Sequence, residues 1–353
     1  MRRELDIDFL KALAIIAVLM DHFRGLYDNA LLANASYFSV TVFIVLAGIT
    51  RYPSLERFYG AENPQGIAQY LMKACKSLLC TYVLASSWYY LMYSNNRIDD
   101  IAAYFVSLAS FNCPTVCYYV VMYIELLLLS PILYALIRKA KKTRFPAVML
   151  AILLALTLFV GYYFTLHGPF FLFYGGSAYF LTGSYLFLYT LGMVFSAEGW
   201  RKRILSFKYA NLLVLPVFLW AGWRIVKGGW TSQVFPAWSI NPPGIIIMIY
   251  ALSLIWSVIV VLHYLEKNER IRKWILVPFS KLGKYSLDIY LFHIPLNALI
   301  WPHIDQMNLS GMLAKPLKFL LPLLIPIAGR MIYVRIKKWL SEELRPGIPD
   351  KKT

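Results

Sequence analysis

Eighteen consecutive residues, AVMLAILLALTLFVGYYF at 147–164, carry neither charge nor proline. A helix that spans a bilayer needs about 20 such residues, and stretches approaching that length recur along the chain. They lie near 9–27, 36–50, 72–93, 116–137, 146–165, 178–196, 209–226, 244–264, 285–301 and 316–334. Lipid offers a backbone no hydrogen-bond partner, so only helices and closed barrels cross it. These runs lack the strict alternation of a barrel strand. The chain therefore reads as all-α, a polytopic integral membrane protein with about ten transmembrane helices. Its composition agrees, with 59% hydrophobic and only 15% charged residues, where a soluble domain carries about 25% charged.

A net charge of +17 invites a nucleic-acid reading, but its placement argues against one. The basic residues cluster in short segments between apolar runs: RKAKKTR (138–144), RKR (201–203), EKNERIRK (266–273) and RIKKW (335–339). That is the bias of cytoplasmic loops. Ten crossings put both termini on one side, and with MRRE inside all four clusters fall inside as well. The charge orients the chain and requires no nucleic acid as partner. MRRELDID leads into a first helix too long and polar for a cleaved signal, and that helix reads as a signal anchor. IAAYFVSLASF (101–111) is too short to span and is expected at the interface or as a re-entrant segment. With no repeat and no appended soluble region, residues 1–353 read as one domain. Cys75 and Cys80 are expected in a helix core. Cys113 and Cys117 fall in an outside loop, where they either pair or stay reduced. No metal site is expected, because nothing near CPTVC supplies two further ligands.

The first span, FLKALAIIAVLMDHFR (9–24), carries costly side chains. Lys11 and His22 are eleven residues apart, about three turns, so they share a face roughly 16 Å apart along the axis. Asp8 lies on the same stripe. Ionisable residues at such depth normally face a protein interior or a cavity. A ligand lying along the helix, anionic at the inner end and reacting at the outer end, would suit the pair. The plainer alternative is that Lys11 snorkels to one interface and His22 sits at the other. Glu125 interrupts MYIELLLLSP, and KYSLDIYLFHIPL sets Asp288, Tyr290 and His293 within one late span. Several such residues together need partners or a cavity, since an unpaired charge in lipid costs several kcal/mol.

At this point the residues resemble the membrane acyltransferase-3 family. LDIDFLKALAIIAVLMDHF is similar to that family's first helix, in which a basic residue precedes a histidine with ten between. Here lysine stands for the more usual arginine. VFIVLAGIT (42–50) resembles the second helix, with Ala47 where serine is common and Gly48 kept. YLMKACKSLL (70–79) is similar to the basic start of the third helix, with Lys73 and Lys76 remaining of an arginine-rich run. YYVVMYIELLLLSPIL and GKYSLDIYLFHIPL resemble the fourth helix and a late S–IYL–H motif.

The resemblance implies acyl transfer from cytosolic acyl-CoA, most often acetyl-CoA, to a hydroxyl of a carbohydrate or lipid-linked glycan on the far side. It also implies a multi-pass protein of a bacterial inner membrane. Acetyl-CoA would be a donor substrate, and no tightly bound cofactor is expected. Lys11, Arg51, Lys73, Lys76 and Arg330 are the candidates for its phosphates, with lysine acting as a point charge and arginine as a fork. His22 would take the acceptor proton as a general base, the route preferred here, or carry the acyl group itself. Asp21 is adjacent but about 100° away around the helix, so Asp288 or Glu125 is as good a partner for His22. Tyr290, His293 and Trp238 are candidates for the acceptor side. The competing class is a transporter or flippase of a glycan or lipid-linked substrate. It finds no support in paired, broken helices, since Pro131 and Pro295 are expected near span ends.

Overall fold

A computed structural model describes residues 5–23, 34–60, 66–93, 101–109, 118–167, 183–226 and 242–343. Among them the secondary structure is helical, with no strand. In chain order the helices are α1 (Leu5–His22), α2 (Ser39–Gly60), α3 (Ile67–Tyr93), α4 (Ile101–Ala109), α5 (Tyr118–Lys141) and α6 (Pro146–His167). There follow α7 (Tyr185–Ala197), α8 (Trp200–Ser206), α9 (Lys208–Val226), α10 (Ile245–Leu265), α11 (Val277–Gly283), α12 (Ser286–Gln306) and α13 (Gly311–Glu343). A short turn at Glu269–Ile271 and a wide π turn at Arg272–Leu276 lead into α11.

A helix occupies each of the ten stretches expected to span. Four of them, α5, α6, α10 and α13, are long and apolar enough to cross a membrane on length and composition alone. A fifth is added if α8 and α9, bent by 98°, form one span. The remaining long helices fall short because they carry the polar side chains. Asp6, Asp8, Lys11 and Asp21 lie on α1, Arg51 on α2, and Asp288 and His293 on α12. α4 has no buried residue and shows Ile101, Phe105 and Val106 on its surface, as suits an interfacial segment.

α1 is the central helix. Ten of its eighteen residues are buried. Ile7, Leu10 and Ala14 belong to a cluster with α2, α5, α7 and α10, while Ile15, Val18 and Leu19 belong to a second with α3, α12 and α13. Burying Leu from lipid gains no transfer energy, so close backbone approach has to hold such a bundle together. Glycines provide it at two crossings. A Cβ on Gly48 of α2 would lie 2.1 Å from the Tyr189 carbonyl oxygen of α7, and one on Gly192 would lie 2.2 Å from that of Val45. A Cβ on Gly283, at the end of α11, would lie 1.9 Å from the Asp8 carbonyl oxygen of α1.

Three of the four basic clusters meet at one end of the bundle, with the start of α1. Arg201 Nε lies 2.8 Å from Asp6 and its Nη2 3.1 Å from Glu266. Glu198 takes Lys141 at 3.3 Å together with Arg203. α11 joins the same end through Gly283. Arg330 of α13 then reaches Asp288, one turn into α12, at 3.9 Å, so α13 runs back and delivers 335–339 there too.

Two expectations are corrected. Cys80 is exposed on α3 rather than in a core, with Cys75 half-buried. Pro131 and Pro295 lie inside α5 and α12, not near their ends, and both helices run through them. Membrane helices tolerate proline where neighbouring groups satisfy the freed carbonyls. Cys113, Cys117 and Trp238 lie outside the described residues.

Candidate active site

α1 and α12 start at the same end of the bundle and come together again at two histidines. His22, the last residue of α1, sets its Nδ1 2.6 Å from Nε2 of His293, with the ring planes 24° apart. His293 Nδ1 in turn lies 2.6 Å from the Tyr290 carbonyl oxygen. A carbonyl oxygen only accepts, so His293 donates there. His293 has no solvent exposure, whereas His22 is partly exposed. Phe23, fully buried, stands 6.3 Å from the His293 ring and packs edge-on against Trp301 and Phe319. Phe23 thus closes the histidine pair on one side, backed by Trp301 of α12 and Phe319 of α13.

Beside it lies a cavity of 170 Å³. Lys11 of α1, Phe43 and Ala47 of α2, Tyr119 and Tyr123 of α5, and Tyr290 of α12 line it. Tyr119 and Tyr123 stack at 6.1 Å, and Tyr119 meets Tyr290 at 5.2 Å. The cavity therefore connects the lysine with the residue whose carbonyl holds His293. Pockets for whole drug-sized ligands run to about 300 Å³ and more. This one is sized for a narrow arm.

Thr50 also lines the cavity, and its neighbour Arg51 is 8% exposed. Arg51 Nε donates to Ser130 Oγ at 3.1 Å and Nη1 to Tyr70 Oη at 3.3 Å, while the guanidinium lies 4.8 Å over the Tyr70 ring. Tyr70 Oη is 2.5 Å from Ser54 Oγ. Arg51 Nη2 is buried with no hydrogen-bond partner, and no carboxylate stands within ion-pair range of Arg51 among the described residues. A buried cation without an anion is unfavourable by several kcal/mol. One guanidinium nitrogen therefore keeps its donor capacity for an anion. Ser54, Arg57, Phe58 and Tyr70 line a neighbouring cavity of 240 Å³. Lys73 and Lys76 are exposed on α3, Lys73 one turn beyond Tyr70.

The structure thus sets Lys11 and Tyr290 on one cavity and His293 between Tyr290 and His22, with Arg51 next to the lining residue Thr50. Asp288 faces Arg330, which is exposed and lies 5.4 Å over the Tyr333 ring. Glu125 is buried on α5 and Asp21 half-buried on α1, and neither lines the cavity. His293, expected on the acceptor side, lies against His22. Nothing in the sequence marks Tyr119, Tyr123 and Phe43 as cavity walls, since aromatic residues in a membrane span are common. A larger cavity of 480 Å³ between α6, α7 and α8 shares no residue with the histidine pair, and its Lys141, Glu198 and Arg203 engage one another. No group of three metal-ligating side chains gathers among the described residues.

Residues 4–331 match the family model described as an acyltransferase domain, that of the acyltransferase-3 family. Among curated proteins and solved structures no match was found.

Proposed function

The chain belongs to the acyltransferase-3 family and is a membrane acyltransferase; on that premise we propose that it moves an acetyl group from cytosolic acetyl-CoA to a hydroxyl of a glycan or lipid-linked sugar across the membrane. The observation that carries this reading is the cavity lined by Lys11 at one position and by Tyr290 at another, with His293 and His22 beyond it. The end of the bundle where the basic clusters meet is the cytoplasmic one in this account, and the chain sits in a bacterial inner membrane. CoA is polyanionic. Its phosphates bind at Arg51, whose Nη2 awaits an acceptor, with Lys11, Lys73 and Lys76 supplying further positive charge. Arg330 stands at the same end for a peripheral contact. The pantetheine arm lies in the cavity and carries the thioester toward His22.

His22 acts as the general base. The acceptor O–H bond breaks and its proton passes to the imidazole. The oxygen bonds to the acyl carbon, the C–S bond breaks, and the thiolate leaves with that proton as CoA–SH. A positioned base contributes about 10²–10⁴-fold. The test uses inverted vesicles with the basic face outward. Acetyl-CoA labelled in the acetyl group is added outside, and label is followed into the glycan and lipid fractions within. Alkali-labile label in the lumen supports the reading. Movement of intact glycan without label transfer would move the assignment to a flippase.

A further inference from the structure

Resting on the reading of His22 as the base, we propose that His293 is the positioning residue that fixes His22 in the tautomer whose lone pair is on Nε2. The Tyr290 carbonyl oxygen has no hydrogen to give, so the 2.6 Å contact with His293 Nδ1 requires a proton on that nitrogen. His293 is completely buried against Phe23 and Tyr290. A second proton would make it a cation in an aromatic shell, stripped of hydration. Its ring is therefore neutral and its Nε2 carries a lone pair. That lone pair faces His22 Nδ1 at 2.6 Å, so His22 donates, and its own lone pair is left on Nε2. The relay gives His22 one defined basic atom.

The same contact serves the reaction once the acceptor proton has arrived. His22 then holds protons on both nitrogens, and its Nδ1–H donates more strongly to His293 Nε2, which spreads the positive charge. The partner of a catalytic imidazole sets which nitrogen is protonated, and in a serine-protease triad the wrong tautomer alone costs about 10⁴-fold in kcat. An isolated boundary histidine needs no such partner. Nor does a merely structural His293 need its Nε2 turned to the last residue of α1.

Two measurements on the full chain in lipid nanodiscs test this. In the first, nitrogen NMR of protein labelled in the rings of its five histidines is assigned by single replacements. His22 and His293 are expected to be protonated on Nδ1, with Nε2 bare in both. A His22 protonated on Nε2 in the resting protein overturns the proposal. In the second, acetyl transfer is compared among wild type, His293→Phe and His293→Gln at matched folded yield. His293→Phe fills the space but accepts nothing, and is expected to lower kcat by about 10²–10⁴-fold while the acetyl-CoA KM moves less than about threefold. The Gln amide oxygen can accept from His22 and its NH₂ can donate to Tyr290, so His293→Gln is expected within about tenfold of wild type. Unchanged kcat in His293→Phe refutes the positioning role, as does a folded His293→Gln no better than it. Wild type that transfers no acyl group while showing the expected tautomers overturns the acyl-transfer reading and leaves the tautomer assignment standing.

Discussion

Replacing Gly192 by Ala asks whether the crossing of α2 and α7 sets the geometry of the site. The added methyl would lie 2.2 Å from the Val45 carbonyl oxygen and 3.1 Å from Gly48 Cα. Ordinary contact begins near 3.4 Å, so the helices have to part by about 1.2 Å. The obstacle is backbone, which no rotamer can relieve. Overpacking of this kind costs about 1–3 kcal/mol, against which Ala recovers about 1 kcal/mol of helix propensity. In lipid no hydrophobic gain offsets the lost contacts. A net loss of up to about 2 kcal/mol is expected, read from thermal unfolding in detergent by tryptophan fluorescence. The functional effect is expected to be larger. α2 carries Ala47, Thr50 and Arg51 within one turn of Gly48, and a 1 Å misplacement costs about 10²-fold in rate. Gly329→Ala on α13 is the control, because nothing lies within 4 Å of a Cβ there, and it should leave both measurements near wild type. Adding Gly48→Ala to Gly192→Ala should cost less than the two separately, since the gap is already open. Gly192→Ala as stable and active as Gly329→Ala would refute the reasoning.

Arg51→Met should raise the acetyl-CoA KM at least about tenfold. It should leave the ligand-free protein as stable as wild type or more so, because an uncompensated buried cation is removed; a destabilised protein with unchanged KM counts against a donor site. Asp6→Ala should cost about 1–2 kcal/mol in thermal unfolding: Asp6 is buried, but Arg201 keeps Glu266 and is 38% exposed, which holds the loss below that of a fully buried pair. With the four native cysteines replaced, Lys142→Cys and Lys202→Cys should react with an impermeant maleimide only from the cytoplasmic side, and Met307→Cys only from the other. Labelling of all three from one side would overturn the orientation.

Much of the bundle is legible in the chain. Hydropathy marks where each long helix lies, because lipid demands apolar length whatever the tertiary packing. The face shared by Lys11 and His22 follows from helix periodicity alone. Other features depend on contacts between distant segments. Nothing local in YSLDIYLFH of the late span tells that His293, 271 residues along the chain, lies against His22 while Asp288 faces Arg330. Arg51 reads as a boundary residue at the end of VFIVLAGIT, and only the packing of α3 and α5 around it shows a buried guanidinium. Gly48 stood out in sequence, but its need for Gly192 belongs to a crossing that periodicity does not specify. Proline misled at Pro131 and Pro295, since its helix-breaking rule is calibrated in water.

In the proposed mechanism His22 is the base at the end of a donor path that begins at Lys11. The most direct measurement compares acetyl transfer from labelled acetyl-CoA by wild type, His22→Ala and Lys11→Ala in membranes, with CoA binding followed in parallel. His22→Ala is expected to lose about 10²–10⁴-fold in transfer with CoA binding kept, and Lys11→Ala to weaken CoA binding. Undiminished transfer by His22→Ala would contradict this mechanism.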